Sequence, residues 1–136
     1  MLEEQTNTHY GTESGGFRAI HTFGGRSLGV ECWGYWDEQT CAAFARVALT
    51  ALERTGTASE FTLDAALLKP QSSAGQDALR GFLRRLAEKK PSKVDVRVSN
   101  VLTQMQLTRL LREAGVESVH FASRSSGAPP APARAR

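Results

Sequence analysis

Apolar positions recur along the chain with two alternating periods, and each change of period marks an element boundary. From Phe17 to Phe23 and from Ser27 to Trp33 the pattern is strand-like, with Leu28, Val30 and Cys32 on one face. Gly24-Gly25 between the runs supplies the positive φ angles of a tight hairpin turn. Beyond Asp37, a candidate helix cap, Cys41, Phe44, Val47, Ala48 and Leu52 recur at helical spacing. They predict an amphipathic helix from Glu38 to Arg54, closed near Gly56. Phe61 to Leu68 is short, apolar and stopped by Pro70, the profile of a buried strand. Leu79, Phe82, Leu83 and Leu86 form the stripe of a second helix from Ala74 to Lys89, with Pro91 just past its end. Lys93 to Val98 alternates without a break, so it predicts a strand buried on one side. Leu107, Leu110, Leu111 and Ala114 line a third helix, from Leu102 or Thr103 to Ala114, that Gly115 stops. Val119 and Phe121 belong to a last strand, Val116 to Phe121.

The flanks carry no such period. Residues 1–16 are polar and glycine-rich and predict a flexible lead-in; residues 123–136, with Gly127-Ala-Pro-Pro-Ala-Pro132, predict a disordered Pro/Ala/Arg tail. Residues 17–122 are left as one domain of an α/β fold. The expected architecture is a mixed sheet of about five strands with three main helices, a leading β-hairpin and then alternating helix and strand. No run approaches the roughly 20 apolar residues of a membrane span, which argues against membrane insertion. The acidic, polar opening Met1-Leu2-Glu3-Glu4-Gln5 lacks the pattern of a secretory signal and predicts a cytoplasmic protein.

Charge changes this picture little. The formal net charge is +3 over 136 residues, and the segment from Ala122 onward holds Arg124, Arg134 and Arg136 with no acidic residue, so the rest is formally neutral. Nucleic-acid binding needs a broad positive footprint, and a neutral fold with a short basic tail does not offer one. Arg80, Arg84, Arg85, Lys89, Lys90 and Lys93 form a local cluster that reads first as a solvated helix face and second as a patch for an acidic partner. Cys32 and Cys41 form no metal-type pair and read as buried thiols, and His9, His21 and His120 lie apart in the sequence. No metal set or cofactor motif is expected.

One loop carries a chemical message. In Lys69-Pro70-Gln71-Ser72-Ser73-Ala74-Gly75-Gln76, Ser73 and Gln76 have the spacing of a capping box, the Ser73 hydroxyl accepting from the Gln76 amide. A helix N-terminus also favours an added phosphate group, which would give Ser73 a charge near −2. Gly34-Tyr-Trp-Asp37 leads from a strand into the first helix, Leu63-Asp64 opens the next strand, and Ser72-Ser73-Ala74-Gly75 heads the second helix. Val98-Ser-Asn100 then leads to Leu110-Leu-Arg-Glu-Ala-Gly115-Val. In these motifs the run from Gly24 to Phe121 resembles a STAS domain, the fold of bacterial anti-sigma-factor antagonists and other partner-switching proteins. The resemblance puts Ser73 at the family's phospho-acceptor position, with Ser72 where the family has aspartate and Ala74 in place of its second serine. It implies a non-enzymatic interaction module of a bacterial regulatory system whose partner is a kinase-type anti-sigma factor or another regulatory protein. The partner surface expected is Ser72, Ser73, Ala74, Gly75 and Gln76 with Arg80 and Arg84 of the following helix. Trp36 is a further anchor candidate from the aromatic corner Trp33, Tyr35, Trp36 and Phe44.

Catalysis is not expected, because Asp37, Asp64, Asp77 and Glu113 are single carboxylates and no nucleophile elbow, phosphate loop or dinucleotide fingerprint is present. Two alternatives stay open: a domain binding a small ligand such as a lipid or nucleotide, and a structural adaptor or scaffold subunit. A homodimer stays open as well.

Overall fold

The alternation read in the sequence is realised as one six-stranded sheet in a computed structural model that describes residues 6–22, 26–56 and 59–123. The strands are β1 (Thr6–Thr12), β2 (Gly15–Thr22), β3 (Ser27–Gly34), β4 (Glu60–Leu68), β5 (Lys93–Val98) and β6 (Val119–Ser123). They lie side by side in chain order, β1 to β3 antiparallel and β3 to β6 parallel. Each parallel connection carries a helix. Helix α1 runs through Glu38–Ala43, a π-helical stretch Phe44–Ala48 and Leu49–Glu53; α2 is Ser73–Glu88 and α3 is Val101–Ala114.

Right-handed crossovers that always add the next strand on the same side place every helix on the same face of the sheet. The burial pattern follows: Leu28, Val30 and Cys32 of β3, Phe61, Leu63 and Ala65 of β4, and Val94, Val96 and Val98 of β5 are all buried. They meet Phe44 and Leu52 of α1, the predicted stripe Leu79, Phe82, Leu83 and Leu86 of α2, and Leu107, Leu110 and Leu111 of α3. The opposite face carries Arg18, Glu31, Asp64, Asp95 and Arg97 and, among the described residues, is not covered by a helix.

Three expectations change. The lead-in expected at 1–16 contains β1, a sixth strand that pairs with β2 from Thr6↔His21 to Thr12↔Gly15. Its residues are mostly polar because main-chain pairing holds it at the sheet edge, and Tyr10 packs on the core, stacked on Phe17 at 5.7 Å. The last strand starts later than expected because the amide of Val116 closes α3 by donating to Leu111 O at 3.0 Å, behind Gly115 at φ 84°. In β4 the pairing with β3 jumps from Glu31↔Asp64 to Trp33↔Leu67, a bulge that turns both Ala66 and Leu67 away from the core. Asp64 Oδ1 accepts from the bulged Ala66 amide at 3.2 Å, and Ser99 Oγ donates to Ala66 O at 2.5 Å. The antiparallel pairing of β2 with β3 agrees with the expected hairpin, while its Gly24-Gly25 turn and the tail beyond Ser123 lie outside the described residues. Among the described residues, no helix is long and apolar enough to cross a membrane.

Candidate functional site

Parallel strands deliver their carboxyl ends to one edge of a sheet, where open α/β folds build their sites. Here β3, β4 and β5 end at that edge, and α1, α2 and α3 start from it with side-chain caps. Asp37 Oδ1 accepts from Thr40 N at 2.8 Å, Ser72 Oγ from Gly75 N at 3.4 Å and Asn100 Oδ1 from Thr103 N at 3.0 Å. The Thr40 amide holds the Asp37 carboxyl below its ordinary pKa.

The cap of α2 corrects the capping box expected at Ser73. Ser72, extended at φ −73° and ψ 179°, is the cap, and Gln76 N donates to its carbonyl at 2.9 Å. An aspartate could fill the same capping role. Ser73 is the first helical residue, exposed together with Ala74. The Gln76 side chain does not reach back to Ser73: its Nε2 donates to Gln71 O at 3.0 Å, and its Oε1 accepts from Arg109. The shift of one residue has a tertiary cause, because Gln71 is drawn inward and fixes where the chain turns into the helix.

Gln71 is 5% exposed and ties its own loop to the loop after β3 and to helix α3. Its Oε1 accepts from Trp36 N at 3.1 Å, and its Nε2 donates to Gly34 O at 2.9 Å and Lys69 O at 2.8 Å. Its main chain is held by Gln106, whose Oε1 accepts from Gln71 N at 2.8 Å and whose Nε2 donates to Gln71 O at 3.1 Å. This hub explains the glycine of the Ser72-Ser73-Ala74-Gly75 motif: a Cβ on Gly75 would lie 2.8 Å from Gln71 Oε1 and 2.9 Å from Gln71 Cβ.

Trp36 does not stand out as an anchor. It is 1% exposed, its Nε1 donates to Gly16 O at 3.1 Å, and its ring packs on Phe44 at 4.7 Å and on Phe17 at 6.0 Å. Burial of so large a ring with its N–H satisfied makes it part of the core. Among the described residues, the exposed large apolar side chains are others: Tyr35, Leu67, Val101, Leu102 and Met105, from 51% exposed at Tyr35 to 71% at Val101. Tyr35 follows β3, Leu67 ends β4, and the other three open α3, so all five belong to the carboxyl edge. In the sequence, Val101, Leu102 and Met105 form a second apolar stripe, opposite Leu107, Leu110 and Leu111 on the helical wheel. That stripe was readable; Gln71 gave no local sign of its long-range partners.

The basic cluster behaves as a solvated and paired helix face. Arg80 reaches Asp77 at 2.6 Å and Glu113 at 3.2 Å, and Arg85 reaches Glu53 at 2.5 Å and Glu88 at 2.7 Å. Lys89 Nζ donates to Thr55 O at 2.6 Å, and Arg84 is exposed. The Arg85 guanidinium in turn holds the Glu53 carboxyl below its ordinary pKa. Cys32 and Cys41 are buried free thiols as expected; burial raises both, reinforced by Asp64 and Glu31 at Cys32 and by Asp37 and Glu38 at Cys41. The histidines stay apart. His21 is buried with Nε2 3.0 Å from Thr55 Oγ1, His9 stacks on Trp33, and His120 Nδ1 lies 3.4 Å from Asp95.

No protein-family model matches the chain, and no curated protein matches it.

Proposed function

We propose that the chain is a non-enzymatic docking module that acts in the cytoplasm as part of a bacterial regulatory system, with a protein rather than nucleic acid as its partner. The observation that carries this reading is the gathering of Tyr35, Leu67, Val101, Leu102 and Met105, all exposed, on the edge where Ser73 is also exposed. Large apolar side chains exposed together at one edge of a fold mark contact sites, and the Gln71 hub ties that edge together. The resemblance of the sequence to anti-sigma-factor antagonists supports a kinase-type anti-sigma factor, or another regulatory protein, as the partner.

Ser73 is the switch in this reading. Its hydroxyl lies on the first residue of a helix of 16 residues, where main-chain amides and the helix dipole stabilise a phosphate. Ser72 keeps the cap, so modification of Ser73 leaves α2 intact and adds a charge of about −2 next to an apolar contact surface. Ala74 is exposed beside Ser73 and Arg84 is exposed further along the same helix, while Gly75 lies against Gln71, Gln76 accepts from Arg109 and Arg80 pairs with Glu113.

The test is affinity capture of the tagged protein from its native cells, in wild-type, Met105→Glu and Ser73→Asp forms, with partners and Ser73 phosphate read by mass spectrometry. A partner recovered with wild type and lost with both variants is the expected result. A partner retained by both variants, with their circular dichroism unchanged, overturns the docking edge.

A further inference from the structure

On the open face of the sheet, one row of paired positions runs His9, Arg18, Glu31, Asp64, Arg97 across β1 to β5. Beside it Trp33 lies down across the sheet, which it can do because its neighbour is Gly16; a Cβ there would sit 2.8 Å from Trp33 Cζ2. The indole Nε1 donates to Thr12 O at 2.7 Å, and His9 stacks on the ring at 5.7 Å with 26° between planes. Trp33, His9, Arg18, Glu31, Asp64 and Leu67 line a partly open cavity of about 620 Å³, within the range of about 300–1,000 Å³ of small-molecule sites.

We propose that this cavity binds a small flat organic cation, an aromatic or heteroaromatic body bearing a protonated amine or amidine. The Trp33 N–H is already committed to Thr12, so the pinned indole and the His9 imidazole stacked with it, which both line the cavity, present aromatic surface, and such surface attracts flat apolar groups and cations. The floor offers Glu31 and Asp64 as neighbours on adjacent parallel strands, where chains lie about 4.8 Å apart. Their countercharges stand outside the pair: Arg18 beyond Glu31 at 2.5 Å, and Arg97 beyond Asp64 at 3.7 Å with half its side chain exposed. Asp64 Oδ1 accepts from Ala66 N, and among the described residues its other oxygen has only the long Arg97 contact, so a ligand N–H can bind there. Lys69 and Glu13, which also line the cavity, are opposite in charge, and Arg18 on its wall pairs with Glu31, which leaves the Asp64 carboxylate to decide the sign of the ligand. A carboxylate or phosphate ligand would meet the like charge of Asp64 there.

Benzamidine and benzoate, alike in shape and opposite in charge, are the probes. The readout is the Trp33 indole N–H resonance, with the buried Trp36 indole N–H as the reference for an intact core. Benzamidine is expected to shift Trp33 saturably and benzoate to leave it in place. Asp64→Asn keeps an acceptor for Ala66 N and removes the charge, so it is expected to weaken benzamidine binding at least about tenfold, the scale of one charge-assisted hydrogen bond. Trp33→Leu, followed by calorimetry, is expected to weaken binding as well. Equal binding of the two probes, unchanged affinity in Asp64→Asn, or no saturable shift of Trp33 overturns the site. None of these outcomes bears on Ser73 or Met105, so docking at the carboxyl edge is decided separately.

Discussion

Replacing Gln71 with leucine tests the claim that one buried amide ties the carboxyl edge together. The side chains are similar in size, so the substitution removes hydrogen bonds and opens little space. Three bonds are lost, but their partners fare differently. Gly34 O keeps the bond from Lys69 N at 3.1 Å, and Lys69 belongs to an exposed residue whose carbonyl water can reach. Trp36 N has no such relief, because its residue is 1% exposed. A buried amide left unpaired costs about 1–3 kcal/mol and each of the other two bonds about 0.5–1.5 kcal/mol, so a loss of about 2–6 kcal/mol is expected. Urea unfolding followed by circular dichroism and tryptophan fluorescence measures it, with a lower midpoint at an unchanged slope. A loss below about 1 kcal/mol would show that the loops hold without the amide and refute the hub.

Two glycines of α2 make a matched pair: Gly81→Ala, which meets nothing within 4 Å, is expected to stabilise the fold by about 0.5–1 kcal/mol. Gly75→Ala drives a methyl into Gln71 and is expected to destabilise it by about 1 kcal/mol or more; equal gains in both variants on thermal melting would contradict the contact. At Asp37 the folded-state pKa is depressed, so its contribution is present above the unfolded value and is lost as pH falls through the folded one. Asp37→Asn, still a competent cap, is therefore expected to flatten the decline of stability between about pH 5 and pH 2, and parallel wild-type and variant curves would argue against it.

The helices were legible because each carries its period within itself: the stripes of α2 and α3 are the residues buried, and Asp37 caps where it stands in the sequence. The strand Lys93–Val98 was legible for the same reason. What escaped depends on partners distant in the chain. β1 is polar because pairing with β2, not burial, makes it a strand. Ser72 and Ser73 are chemically equivalent neighbours, and only the inward pull on Gln71, exerted from Trp36, Gly34 and Gln106, decides which becomes the cap. Trp36 looked like a loop aromatic free to contact a partner, but its acceptor, Gly16 O, lies in another strand. The candidate edge was thus half visible: Ser72 to Gln76 by motif, and its apolar ridge only as an unused second stripe on α3.

The order of the strands in the sheet is their order in the chain. Each new strand, as it leaves the ribosome, therefore finds its only earlier neighbour already made, and no central gap waits for a segment still to be synthesised. Assembly can advance like a zip from the antiparallel ribbon, one strand and one helix at a time, with short loop closures at every step. A chain built this way exposes a single growing edge during synthesis, which narrows the opportunity for wrong strand pairing.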